Sequence, residues 1–169
     1  MKRINFGALC LIVCVTLFSA CGVYRTEAYS NQESVVVYNQ LDGICVVRAR
    51  GRATTQDVRG VARTRAMQAA EKKALYDVLF NVLVCRDCPQ GKSLTPLVPE
   101  VNAARKYDSY FSKFFSDDGD WKNYAAKAGT RYLATKFGKT QNEYVCDMSV
   151  RIDRRALHDK LVQDGILKK

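Results

Sequence analysis

The stretch Cys45-Val-Val-Arg-Ala-Arg-Gly-Arg-Ala53 constrains the fold more than any other. Cys45, Val47, Ala49, Gly51 and Ala53 alternate with Val46, Arg48, Arg50 and Arg52. Successive side chains of a strand point to opposite faces, so the pattern predicts a strand with one buried face of small residues and one charged face. Small residues on the buried side admit a backbone at close range. The next segment, roughly Thr55 to Leu83, supplies one: a helix with Ala62, Ala66, Ala69, Ala70 and Ala74. Its apolar stripe runs through Val58, Ala62, Ala66, Ala69, Ala74 or Leu75, Val78 and Val82, at the threes and fours of one helix face. Gly60, which costs up to about 1 kcal/mol relative to Ala in a helix, reads as a mark of close approach to the sheet.

Around this pair the rest of the domain can be placed. Val35–Tyr38 reads as a strand, and Asp42-Gly43 as the turn that folds it against Cys45–Ala53. Pro89 prevents the long helix from continuing, and all three prolines fall in the irregular stretch Cys85–Pro99. A second helix is expected from Pro99 or Glu100, with Val101, Ala104, Tyr107 or Asp108, Phe111, Phe114 and Phe115 turned inward, ending at Asp117-Asp-Gly-Asp120. Trp121–Lys127 is left open between a helical turn and a loop. Tyr132–Phe137 and Glu143–Ile152 read as a second hairpin. In its last strand Tyr144, Cys146, Met148, Val150 and Ile152 alternate with Val145, Asp147, Ser149 and Arg151. Asp153 is the expected cap of a final helix that stops at Gly165. The expected order is β-β-α-α-β-β-α. That is an α+β fold: a four-stranded antiparallel sheet of two hairpins, with helices packed on one face. With 169 residues, 47% of them hydrophobic, the chain is long enough for one domain with a real core, placed at residues 35–169.

The N-terminus has a different character. Lys2 and Arg3 precede an uncharged apolar run from Phe6 to Ala20. A spanning helix needs about 20 residues, so residues 1–20 read as a signal peptide rather than a membrane anchor. The run Leu17-Phe-Ser-Ala-Cys21 resembles a bacterial lipoprotein signal sequence, or lipobox, with Phe18 as its departure from the usual Leu. The resemblance implies a diacylglyceryl group on the Cys21 thiol, cleavage before Cys21, and an acyl chain such as palmitate on the new amine. One acyl chain anchors marginally, whereas two or three anchor stably. Polar residues 21–34 then form a tether from lipid to domain. Gly22 after the cysteine implies, by the same resemblance, the outer membrane. Losing residues 1–20 removes Lys2 and Arg3 and no acid, so the formal charge falls from +10 to +8. A basic body beside a lipid surface suits anionic headgroups, lipopolysaccharide phosphates or acidic glycans. Nucleic acid is not an expected partner, because the signal directs the chain out of the cytoplasm.

The domain has a resemblance of its own. The features are Arg50-Gly-Arg-Ala53 at the end of a strand, Ala62-Arg-Thr-Arg-Ala66 and Ala69-Ala70 on the helix, and Tyr144–Asp153 running into Leu157, Leu161 and Gly165. Over about residues 44–167 this resembles the family containing the N-terminal domain of flagellar assembly protein T and related small outer-membrane lipoproteins. Cys85–Pro99 departs from that pattern. The resemblance implies an α+β module of the cell envelope that serves in assemblies with an envelope protein partner. It does not imply membership of a flagellum, and its motifs contain no catalytic residues.

The candidate chemical motifs are few. Cys85-Arg-Asp-Cys88 is a CxxC pair. In an oxidising compartment it reads as a local disulfide or as unpaired thiols, with thiol–disulfide exchange and metal binding as alternatives. Its place after a helix C-terminus, where the dipole disfavours thiolate, counts against redox work. Cys45 and Cys146 share a core face and would bridge only if their strands brought them together; otherwise they are buried free thiols. His158, the only histidine, lies beside Asp159 with no nucleophile in sequence reach. Gly91-Lys-Ser93 and Gly138-Lys-Thr140 lack the earlier glycine of a phosphate loop. Asp117, Asp118 and Asp120 lack the calcium-loop pattern. The remaining candidate is Arg48, Arg50 and Arg52, joined on their face by Arg151 and by Asp147. It is either a set of solvated, paired charges or a surface for an anionic partner. The expected protein is therefore a non-catalytic, lipid-anchored envelope module with no cofactor and no metal.

Overall fold

The computed structural model describes residues 34–39, 43–54, 59–85, 93–129, 135–140 and 142–168. The signal and lipidation assignments at residues 1–20 and Cys21, and the second cysteine of the CxxC pair, Cys88, lie outside the described residues. The elements run in order as β1 (Val35–Asn39), β2 (Ile44–Thr54), α1 (Arg59–Phe80), β3 (Leu83–Val84), β4 (Ser93–Leu94), α2 (Ala103–Lys106), α3 (Asp108–Phe114), a 3-10 turn (Asp120–Asn123), β5 (Ala125–Lys127), β6 (Lys136–Lys139), β7 (Glu143–Asp153) and α4 (Arg154–Gln163). Among the described residues no helix is long and apolar enough to cross a membrane.

The fold is mixed α and β with an antiparallel sheet, as the alternating stretches predict. The sheet has five strands rather than four, in the order β1-β2-β7-β5, with β6 also on β7. The difference lies at the outer edge of β7. That strand runs for 11 residues, and β6 pairs only with its first part, Tyr144 to Asp147. Beyond it, Val150, Arg151 and Ile152 pair with Lys127, Ala126 and Ala125 of β5. Without β5, those backbone groups would form an open edge. Trp121–Lys127 is thus a 3-10 turn followed by a strand. The expected second helix is two short ones, interrupted at Tyr107 (φ −109°, ψ 31°). A further two-stranded sheet pairs β3, just before Cys85, with β4 inside the Cys85–Pro99 stretch.

The core forms where α1 crosses β2 and β7. Ala62, Ala66, Ala70, Ala74, Leu75, Val78 and Leu79 of α1 are buried against Cys45, Val47, Ala49, Cys146, Met148, Val150 and Ile152. The close approach is at Gly51. A Cβ there would stand 2.1 Å from the Ala66 carbonyl oxygen and 2.2 Å from the Ala70 amide nitrogen. Gly60, by contrast, is exposed with nothing within 4 Å of such a Cβ, so it does not mark a contact with the sheet. Val82, expected on the apolar stripe, is 65% exposed because the helix has already ended at Phe80. Phe111, Phe114 and Trp121 close one end of the core. The Trp121 indole donates to the Ser116 carbonyl at 2.9 Å, so its one polar atom is satisfied. At the start of α4 the Asp153 carboxylate accepts from the Ala156 amide at 3.0 Å. At its end Gly165 has φ +75°, and the amides of Gly165 and Ile166 donate to Val162 and Leu161 at 3.1 and 2.9 Å. That is the paired-bond stop for which glycine is favoured.

Candidate functional site

Strand register decides which charges meet. Arg48 lies opposite Ser149, Arg50 opposite Asp147, Arg52 opposite Val145, and Val46 opposite Arg151. On the other side of β7, Lys136 lies opposite Asp147. Residues paired directly across antiparallel strands share a face. Arg48, Arg50, Arg52, Arg151, Lys136, Asp147 and Ser149 therefore occupy the sheet face opposite α1.

The guanidiniums on that face are drawn to two carboxylates. Arg48 grips Asp147 with both arms of its fork, Nε to Oδ1 at 2.9 Å and Nη2 to Oδ2 at 3.1 Å. Arg50 Nη2 donates to the same Oδ2 at 3.3 Å. Arg52 Nη1 donates to Glu143 Oε2 at 3.3 Å. Arg151 is exposed and makes no ion pair among the described residues. Among the described residues, five cations on this face stand against Asp147, Glu143 and, at the end of β7, Asp153, a formal excess of two positive charges.

This face is less open than the sequence suggests. The side chains of Arg48, Arg50 and Asp147 are only 26%, 14% and 12% exposed. Val46, Val145 and Ser149 on the same side are buried, the two valines lying outside the main core. Arg52, with a side chain 45% exposed, and Arg151 are the solvated members. The two inner arginines are in effect pinned over the strand by Asp147, while the outer ones remain available.

The cysteines separate into two kinds. Cys45 and Cys146 are buried free thiols, and burial pushes each up to about 12. Their strands are neighbours, but Cys45 lies opposite Ile152 and Cys146 opposite Gly51, so the register keeps the two sulfurs apart. Cys85 is disulfide-bonded. Since Cys45 and Cys146 are free, its partner lies outside the described residues. A bonded Cys85 is neither an unpaired thiol nor a thiolate ligand.

The other motifs do not converge. His158 is exposed, its Nδ1 3.5 Å from Asp159 Oδ1. Asp117 receives Lys72 Nζ at 3.1 Å, and Asp120 lies 3.6 Å from Lys160 Nζ. Among the described residues no group of His, Cys, Asp and Glu is placed to hold a metal ion.

Two polar clusters went unread in the sequence. In the first, the Tyr110 hydroxyl donates to Asp164 Oδ2 at 2.6 Å and Lys160 Nζ donates to Oδ1 at 3.0 Å. This lines a cleft of about 560 Å³ with Lys113, Asp118 and Asp120. The Tyr110 bond, aided by Lys160, holds the Asp164 carboxyl below its ordinary range, while burial and Asp164 raise the phenol. Tyr110 and Asp164 are 54 positions apart, so no local pattern joins them. In the second, Asp77 is 1% exposed and accepts from Asn81 Nδ2 at 2.8 Å and from Lys73. Its i, i+4 spacing to both partners was the available signal. No family model, curated protein or solved structure matches this chain.

Proposed function

We propose that the chain is a lipid-anchored lipoprotein of the bacterial cell envelope, held at the outer membrane through Cys21. Its domain is a non-catalytic module that binds a partner through the arginine face. The observation that carries this reading is the asymmetry of the sheet. One face is packed beneath α1, and the other sets Arg48, Arg50, Arg52, Arg151 and Lys136 against three carboxylates among the described residues, Glu143, Asp147 and the helix-capping Asp153. The lipobox-like Leu17–Cys21, the polar stretch after it, and the resemblance to small outer-membrane lipoproteins support the location. The disulfide at Cys85 suits an oxidising compartment. An excess of fixed positive charge attracts acidic partners and raises their encounter rate.

Two measurements test the proposal. Mass spectrometry of the mature N-terminus should find acylated Cys21 as the first residue; an unmodified chain starting elsewhere removes the anchor. Cross-linking in intact envelopes followed by affinity capture should recover a partner, or an acidic glycan or lipopolysaccharide. The triple variant Arg48→Ser, Arg50→Ser, Arg52→Ser should lose it. Equal recovery by both proteins would move the interface off this face.

A further inference from the structure

Asp147 is one carboxylate shared by two guanidiniums. Arg48 takes both of its oxygens in the fork geometry that guanidinium also uses for external carboxylates and phosphates. Arg50 reaches the same Oδ2 at 3.3 Å. Directly across from Arg48, on the same face, stands Ser149. It is 3% exposed, and its Oγ has no hydrogen-bond partner among the described residues. An unsatisfied buried hydroxyl is unfavourable, and such groups call for an explanation. Ser149 thus shares its face with both arginines, across from Arg48 and two residues along β7 from Asp147.

We propose that Arg48, Arg50 and Ser149 form a site for a phosphate group, and that Asp147 is its resident occupant, displaced from the guanidiniums when a ligand binds. The inference rests on the reading of this face as a binding surface and names its ligand chemistry. A carboxylate ligand offers two oxygens, which Asp147 already supplies. A terminal phosphate offers three, enough for the Arg48 fork, for Arg50 and for the Ser149 hydroxyl, and it carries more charge. Arg151 lies two residues beyond Ser149 along β7 and widens the positive rim. The ligand is therefore a phosphate monoester or pyrophosphate, borne either by a lipid headgroup or by a soluble molecule.

The test titrates the full chain, purified in non-ionic detergent, by calorimetry with two probes: inorganic pyrophosphate, and short-chain phosphatidic acid below its micellar concentration. Asp147→Asn removes the competing carboxylate and should tighten binding about tenfold, the effect of one charge-assisted hydrogen bond. The double variant Arg48→Ser, Arg50→Ser should abolish it. Ser149→Ala leaves every ion pair intact and should weaken it about threefold to tenfold. Saturation by phosphatidic acid alone assigns a headgroup; saturation by pyrophosphate assigns a soluble ligand. The proposal is overturned if neither probe binds, if folded Asp147→Asn binds no more tightly than wild type, or if the double variant still binds. Should Asp147→Asn fail to fold, unchanged affinity in Ser149→Ala overturns it instead. Lost phosphate binding with partner capture retained removes only this site. Loss of partner capture with phosphate binding intact removes only the assembly reading.

Discussion

Replacing Gly51 by alanine tests the central packing of this fold with one methyl group. The new Cβ would stand 2.1 Å from Ala66 O, 2.2 Å from Ala70 N and 2.8 Å from Ala69 C. All three are backbone atoms of a 22-residue helix, so no side chain can rotate away. Relief requires α1 to retreat by roughly 1.4 Å, since ordinary carbon contacts begin near 3.5 Å. The methyls of Ala62, Ala66, Ala70 and Ala74 are fully buried at this interface. A buried carbon makes on the order of ten contacts of 0.1–0.2 kcal/mol, and a gap beyond about 1 Å forfeits about half of each. The loss is therefore about 0.5–1 kcal/mol per methyl, or roughly 2–4 kcal/mol for the row. Lower unfolded-state entropy returns about 0.4–1 kcal/mol, leaving a net destabilisation of about 1–3.5 kcal/mol. For a domain of this size that lowers Tm by roughly 10 °C. Gly60→Ala is the matched control: it meets nothing within 4 Å and should stabilise by about 0.5 kcal/mol through helix propensity. Urea and thermal unfolding of both variants decide the matter. A neutral Gly51→Ala, or a Gly60→Ala equally damaging, would refute the packing argument.

Three further outcomes are expected. Differential alkylation read by mass spectrometry should label Cys45 and Cys146 only after unfolding, because burial raises both thiols to about 12; labelling of the native chain at pH 8 would contradict that burial. The Asp164 carboxyl is held low by the Tyr110 hydroxyl and then by Lys160. Its contribution is thus present above the unfolded value near 3.9 and is lost as pH falls through the lower folded value. Tyr110→Phe should flatten the loss of stability below about pH 4; an identical acid limb in both proteins would show the bond to be inert. Asp153→Ala removes the cap on the Ala156 amide and should cost about 1 kcal/mol in urea unfolding. No change would mean that the backbone bond from Arg154 to Gly43 holds the helix start without it.

The legible parts of the fold were those in which one residue's neighbours along the chain report its environment. The charged residues of β2 and β7 fall on alternate positions, so parity alone puts Arg48, Arg50 and Arg52 on one face of β2 and Asp147 and Ser149 on one face of β7. Parity does not give register, and register decides the chemistry. It sets Arg48 close enough to take Asp147 in a fork, and it keeps Cys45 and Cys146 apart although their strands are adjacent. β5 could not be read because three residues, Ala125–Lys127, carry no period. Its reason for existing is the free edge of β7 rather than anything within it. The break at Tyr107 had a faint trace: the apolar spacing there fits Tyr107 or Asp108 equally, as it must when one helix gives way to another.

Glycine shows why the same residue type needed structure to be understood. Gly51 and Gly60 are nine positions apart, on a strand and on the helix that crosses it, and either would serve a close approach. Which one does is settled by where the helix axis passes over the strand. The axis passes at Ala66 and Ala70, near the middle of the alanine row, rather than at its start. Crossing there puts the small residues of β2 and α1 in contact, so the α1-facing side of β2 is committed to packing. Each arginine of β2 is one position away from a residue of that packed side, and strand geometry sends it to the opposite face. The close helix contact and the charged face are therefore one constraint. A register slip that exposed Gly51 would drive Arg50 or Arg52 beneath α1, where an unpaired charge is far more costly than any surface pairing it would lose.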